Sequence, residues 1–191
     1  FSTKNMIEII QILLSDNMIE LQNVCFSFKD GFFSKKKEIL QSISMTINDG
    51  DAIGVVGRNG VGKSTLLKLL SGVYTPTDGN INYSDCKVSL LTLNTGLEQN
   101  LSWYDNIFLS GALLGISKKV IKKHIDTIIE FSGLGAAINQ QVKEYSTGMM
   151  ARLSFSVSTI LEPDVLLLDE IIGVGDVEFQ NKSSRFLLNR I

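Results

Sequence analysis

Cysteine and histidine are scarce in this sequence. Two cysteines, Cys25 and Cys86, stand far apart in 191 residues and form no C-x-x-C pair. Scattered thiols suit a reducing cytoplasm, where a buried free cysteine is the ordinary outcome. The one histidine, His124, sits beside Lys122 and Lys123 and is expected at the surface. Charge of one sign is lacking too. The net charge is −2, so no overall basic field points to nucleic acid, although a local basic spot can still hold phosphates. Long apolar runs are missing. The stretch Met6 to Leu14 is interrupted by Glu8 and Gln11 and falls short of the ~18 residues that a membrane-spanning helix needs. No signal-peptide pattern is recognisable. The chain itself is therefore not expected to cross a membrane.

What remains is an ordinary globular composition, 44% apolar and 20% charged, in a chain long enough to bury a core. It opens on Phe1 and stops at Ile191 within a helical pattern, which leads us to expect a fragment of a longer protein. Residues 1–17 are expected to be a leader or linker, and residues 18–191 one domain, incomplete at its C-terminus. Ile19, Leu21, Val24, Phe26 and Phe28 predict a strand from Met18. Lys29–Glu38 reads as a polar hairpin loop. Ile39, Ile43, Met45 and Ile47 predict a second strand, ended by the turn Asn48-Asp49-Gly50-Asp51. Ala52–Val56 is a short apolar run, as expected of a strand buried on both faces. A helix over Ser64–Ser71 and strands near Gly79–Tyr83 and Lys87–Leu93 follow. Trp103–Leu114, Lys118–Phe131 and Gly148–Leu161 predict a helical insert over about residues 100–162. Val165–Leu168 predicts another buried strand, and Phe179–Ile191 a last helix. That order predicts an α/β fold with a mostly parallel core sheet and an antiparallel β flank.

Between the third strand and the first helix stands Gly57-Arg58-Asn59-Gly60-Val61-Gly62-Lys63-Ser64. It fits G-x-x-x-x-G-K-[ST]. Glycines let backbone N–H groups turn inward around an anion, and the helix N-terminus near Lys63 adds partial positive charge. Lys63 is the residue that reaches the β- and γ-phosphates, and Ser64 offers a hydroxyl to Mg²⁺, a hard cation that prefers oxygen. The pattern implies ATP, or a related nucleoside triphosphate. A glycine turn arising by chance would not also follow a buried strand and open a helix.

Asp169 and Glu170 end the apolar strand Val165–Leu168. Alone, they read as a solvated acidic turn. Beside a phosphate loop, Asp169 is expected to hold Mg²⁺, directly or through water, and Glu170 to act as general base on the attacking water. Tyr145-Ser146-Thr147-Gly148-Met149 precedes the third insert helix. Ser146 can cap that helix, and Gly148 permits close approach of an anion; by itself this is a helix start.

In this order the three motifs resemble the ATP-binding-cassette (ABC) family, and the resemblance runs from Met18 to Ile191. The family's usual middle motif is Leu-Ser-Gly-Gly-Gln, whereas this chain has Tyr145-Ser146-Thr147-Gly148-Met149. With Arg152-Leu153-Ser154-Phe155-Ser156, and with Val174-Gly175-Asp176 followed by Phe179-Gln180, it is similar to the branch that exports O-antigen, teichoic acid or capsule. The resemblance implies a P-loop fold that binds ATP with Gly57, Arg58, Asn59, Gly60, Val61, Gly62, Lys63, Ser64 and Thr65. It implies catalysis by Lys63 and Glu170, and metal binding by Ser64 and Asp169. Ser146, Thr147, Gly148 and Met149 would contact the ATP of the opposite subunit, with Asp176 in the loop that meets that subunit. Phe28 lies where the family stacks a ring on adenine, and it is equally a core strand residue. The usual glutamine after the strand near Leu93 is replaced by Leu93-Asn94, and Gln99 comes too late. The family's γ-phosphate histidine would lie past Ile191.

The implied protein is a peripheral ATPase subunit on the cytoplasmic face of a membrane, a homodimer through its nucleotide sites, docked on a polytopic permease through Gly96–Asn106. Trp103 and Phe108 are contacts there or, as is more usual for such residues, core. A cassette ATPase of DNA repair or translation is the rival reading; it would bring a coiled coil or second cassette, and neither stands in this sequence. A non-hydrolysing, ATP-binding regulatory subunit is the other, against which Lys63, Asp169 and Glu170 stand together.

Overall fold

The computed structural model describes residues 6–12, 19–28, 37–84, 86–91, 97–161, 163–169 and 176–188, with the backbone alone for 6–12 and 188. Seven strands and five α-helices are present among them: β1 (Met6–Ile12), β2 (Ile19–Phe28), β3 (Lys37–Ile47), β4 (Ala52–Gly57), α1 (Lys63–Leu70), β5 (Asp78–Tyr83), β6 (Val88–Leu91), α2 (Trp103–Leu113), α3 (Lys118–Ser132), α4 (Thr147–Ile160), β7 (Val165–Leu168) and α5 (Val177–Leu188). Two short 3-10 turns, Gly135–Asn139 and Val142–Glu144, join α3 to α4.

The strands form two sheets. The flank is antiparallel, in the order β3-β2-β5, and the core sheet has the order β4-β1-β7-β6. β6 and β7 run parallel, while β1 lies antiparallel to both β4 and β7. Three of the four core strands therefore point the same way, with their C-terminal ends on one edge. That edge carries the glycine loop after β4 and Asp169 after β7.

Residues 1–17 were expected as a leader, yet Met6–Ile12 is a strand in the core sheet. The reason lies in its run of Met and Ile residues, short for a membrane span but long enough for a strand. Ile10 stands opposite Ile53 on one side and Leu167 on the other. β4 also departs from expectation. Its residues alternate in exposure, and Val56 is 60% exposed. β4 is an edge strand of this sheet, and among the described residues nothing covers the Ala52, Gly54 and Val56 face. β7 is buried along its whole length, as expected. The polar hairpin expected to run to Glu38 ends earlier, because Lys37 and Glu38 already pair with Phe28 and Ser27; its residues 29–36 lie outside the described residues.

Among the described residues, three apolar clusters hold the fold together. Ile19, Leu21, Val24 and Ile47 of the flank meet Leu66, Leu67, Leu69 and Leu70 of α1 and Val165 and Leu167 of β7. A separate cluster, around Ile107, Ile121, Ile128, Leu153 and Val157, belongs to the helical insert. There α2 comes so close to α3 that a Cβ on Gly111 would lie 2.5 Å from Cδ1 of Ile121. The third cluster joins Leu166 and Leu168 of the sheet to Phe155 of α4 and Phe179 and Leu187 of α5. Full burial of a side chain of this size contributes roughly 1.5–3 kcal/mol.

Candidate functional site

The glycine loop turns between β4 and α1 as its sequence requires. Gly60 and Gly62 take φ +79° and +107°, a region costly for any residue with a Cβ. Gly62 is also the residue that caps α1, with its φ turned so that Leu66 N–H donates back to its carbonyl at 2.9 Å. A side chain there would strike Leu40 and Ile39 within 3.0 Å. The loop thus frames an open cavity of about 290 Å³, lined by Asn59, Gly60, Gly62, Lys63, Ser64, Thr65 and Ile39. Arg58, Asn59, Gly60 and Val61 of the loop are exposed.

Lys63 is only 7% exposed, although it is charged. Its ammonium donates to the Gly57 carbonyl at 3.1 Å and to the Arg58 carbonyl at 3.3 Å. Those bonds satisfy a buried cation and hold it across the loop, where an anion in the cavity would meet it. Ser64 and Asp169 come together at the same place. The Ser64 hydroxyl donates to Oδ1 of Asp169 at 3.3 Å, across 105 residues of sequence. Asp169 is half-buried, and its own N–H donates to the Leu91 carbonyl at 3.0 Å, which extends the β6–β7 ladder by one step.

The donor set fits Mg²⁺. A hydroxyl and a carboxylate are both hard oxygen ligands, and Mg²⁺ commonly takes one or two such protein ligands and completes its shell with phosphate and water oxygens. Among the described residues there is no cluster of three or more His, Cys, Asp or Glu. Glu170 lies outside the described residues, as do Leu93, Asn94 and Gly96.

Phe28 ends β2 with 40% of its surface exposed. It stands edge-on to Phe26 and Tyr74, with centroids at 4.9 and 5.7 Å, while Phe26 and Tyr74 stack at 5.1 Å. One ring is therefore offered outward from an aromatic group that is otherwise packed. Trp103 and Phe108 pack against the insert's core, which favours the core reading, and Tyr104 lies between them. His124 is half-buried on α3 rather than fully exposed.

The segment at the start of α4 is built around two side chains. Tyr145 is buried, and its hydroxyl donates to the Ile138 carbonyl at 2.7 Å. Burial pushes its pKa above the usual tyrosine value. Ser146 caps α4 by accepting from the Met149 N–H at 3.2 Å. Tyr145 thus faces the core, while Ser146 and Thr147 are exposed and Gly148 and Met149 half-buried. Asp176 precedes α5, and its Oδ1 accepts from the Phe179 N–H at 2.9 Å. Its carboxyl titrates below the usual aspartate range, first because of that N–H and then because of the Arg152 guanidinium, which it also binds.

Sequence reasoning missed two residues here. Ile39 of β3 lines the phosphate cavity, but nothing local marks it apart from its neighbours in an alternating strand. Arg152 was read only as part of a similarity, and its partnership with Asp176 is non-local.

A glycine loop between a strand and a helix, with a lysine across it and a Ser–Asp pair beside it, defines a P-loop nucleotide-binding domain of α/β architecture. The sequence profile of the ABC transporter family matches residues 40–173, and the chain belongs to that family. An O-antigen export system ATP-binding protein of Myxococcus xanthus is 44% identical over 144 residues, covering 75% of this chain and 33% of its own length. One from Klebsiella pneumoniae is 41% identical over 148 residues, covering 78% of this chain and 60% of its own length. A teichoic acids export ATP-binding protein of Staphylococcus haemolyticus is 42% identical over 158 residues, covering 81% and 60%. The chain thus spans between a third and three fifths of the length of these relatives. Among solved structures, an ATP-binding subunit of an ABC transporter shares the fold at TM-score 0.69 and 16% identity, covering 91% of this chain and 74% of that one. A dimeric ATP-binding cassette bound to ADP and phosphate does so at TM-score 0.69 and 16% identity, covering 88% and 81%.

Proposed function

We propose that this chain binds and hydrolyses ATP as part of an ABC exporter that moves a polysaccharide or glycolipid across the cytoplasmic membrane. The observation that carries the nucleotide chemistry is the convergence of Lys63, Ser64 and Asp169 at the C-terminal edge of the core sheet. Likeness to O-antigen and teichoic acid export proteins, at 41–44% identity, supports the transported class.

In this reading the backbone N–H groups of Gly57–Ser64 cradle the phosphates, and Lys63 turns its ammonium from loop carbonyls to phosphate oxygens. Ser64 and Asp169 would hold Mg²⁺, which offsets phosphate charge when bound. Ile39 and Phe28 offer apolar surface to the nucleoside. Glu170 takes a proton from the water that attacks the γ-phosphorus, so the bond to the ADP oxygen breaks as the bond to water oxygen forms. Ser146 and Gly148 of one copy, with Thr147 and Met149, face the ATP of a second copy. ATP therefore favours a closed dimer and hydrolysis releases it. No helix among the described residues is long and apolar enough to cross a membrane. A polytopic permease would be the partner, with the chain held peripherally on its cytoplasmic side.

Tagged protein purified from membranes in mild detergent tests this. Co-purification of a polytopic membrane protein encoded beside sugar-transfer enzymes is expected, together with loss of surface polymer in a Lys63→Ala strain. Normal surface polymer in that strain would overturn the proposal.

A further inference from the structure

We propose that Arg152 is a positioning residue for the shared ATP site: by gripping Asp176 it fastens the start of α4 to the start of α5, so the two stretches offered to the second subunit move as one body. The inference rests on the reading of Ser146–Met149 and Asp176 as faces toward that subunit.

The geometry is specific. Arg152 stands on the second turn of α4, six residues after the capping Ser146. Its Nη2 donates to Oδ2 of Asp176, while Oδ1 of the same carboxylate caps α5 through the Phe179 N–H. One carboxylate thus joins two helix starts. The guanidinium also lies 5.5 Å from the centroid of Phe179, which gives the arginine a second hold on α5. Farther along, the Lys182 ammonium of α5 donates to the carbonyls of Glu130 and Phe131 at 3.3 and 3.0 Å, at the end of α3. Phe131, Phe155 and Phe179 fill the space between these two charged anchors. α5 is therefore attached to the helical insert at its start and again midway along, at Lys182.

Burial explains why the first anchor is a matter of position and not of folding. The Arg152 side chain is 21% exposed and that of Asp176 56% exposed. With the carboxylate open to solvent, the pair is screened and contributes modestly to global stability. The apolar cluster of Phe155, Phe179 and Leu187 remains when the pair is removed. What is lost is the fixed relation between the exposed Ser146–Thr147 step and the exposed Asp176.

The test compares Arg152→Ala, Arg152→Lys, Asp176→Asn and the double variant Arg152→Ala/Asp176→Asn. ATP hydrolysis and ATP-dependent dimerisation are read, the latter in a Glu170→Gln background. Asparagine at 176 keeps the cap on α5 and loses the ion pair. The expected result for Arg152→Ala is a fall in kcat of about tenfold, and a matching weakening of dimerisation, with KM within about threefold and the urea midpoint unchanged. Arg152→Lys should recover part of the loss, and the double variant should be no worse than either single one. Parent kcat and dimerisation in Arg152→Ala, or multiplicative losses in the double variant, would overturn the inference. Ser146→Arg separates the two levels. If it leaves dimerisation and hydrolysis intact, the shared-site reading itself fails; if it abolishes them while Arg152→Ala does not, only the positioning role fails.

Discussion

The Ser64 hydroxyl and the Asp169 carboxylate meet at 3.3 Å although β1 lies between the strands that lead to them. Neighbouring strands are about 4.8 Å apart, so β4 and β7 are separated by two such steps. The glycine loop and the first turn of α1 carry Ser64 back across that gap. β1 begins level with the start of the loop, Met6 standing opposite Gly57.

That pairing predicts how the metal requirement is distributed. Ser64→Ala and Asp169→Asn should each lower the apparent Mg²⁺ affinity, measured by titrating Mg²⁺ against ATP binding, by about tenfold or more, since even outer-shell partners of a metal matter to that extent. Binding of ATP without Mg²⁺ should change little, because Lys63 and the backbone are untouched. Equal losses with and without Mg²⁺ would mean that the pair supports the loop and not the metal.

Phe28 gives a separate prediction about the base. One exposed ring against an aromatic pair is suited to stacking, and base–aromatic stacking contributes about 1–3 kcal/mol. Phe28→Ala should weaken ATP binding by about tenfold and leave inorganic triphosphate binding unchanged, with Phe28→Trp close to the parent. Calorimetry with both ligands distinguishes this from a general disturbance of β2.

In the proposed reaction Glu170 is the general base. Glu170→Gln should keep ATP binding, lose turnover by about a hundredfold or more, and accumulate an ATP-bound dimer on size-exclusion chromatography with light scattering. Parent-like hydrolysis would remove the glutamate from that role.

The fold should be sensitive to alkali through two tyrosines. Burial raises the pKa of both Tyr83 and Tyr145 above the ordinary 10.0, and each hydroxyl donates to a main-chain carbonyl, of Leu69 and Ile138. A raised folded-state value means that their contribution is intact below the unfolded value and is lost as pH rises through the folded one. Urea midpoints should therefore hold steady up to about pH 9 and fall above about pH 10, and the Tyr83→Phe/Tyr145→Phe protein should show a shallower decline.

Much of this was legible in the sequence, for physical reasons that differ by residue. Gly57–Ser64 is contiguous, so one turn with its required φ values and its lysine can be read directly. Asp169 was legible because an acid ending an apolar strand needs a partner, and β7 is buried throughout. Ser146 was legible as a cap, since capping is local. The insertion of Met6–Ile12 between β4 and β7 was not, because an apolar run states that it will pair but not with what. The exposed face of β4 was missed for a related reason: Ala52–Val56 is apolar on both faces, and its exposure depends on which elements cover the sheet. Ile39 and the Arg152–Asp176 pair are products of tertiary placement alone.

The central claim is that Gly57–Ser64 holds ATP through Lys63. The most direct measurement is the calorimetric affinity for ATP with Mg²⁺, in the parent and in Lys63→Ala. Lys63 hydrogen-bonds only loop carbonyls among the described contacts, so its removal should leave the circular dichroism spectrum unchanged. The account predicts saturable binding in the parent and a loss of at least about a hundredfold, near 2.7 kcal/mol, in the variant. Equal affinity in the two proteins would contradict it.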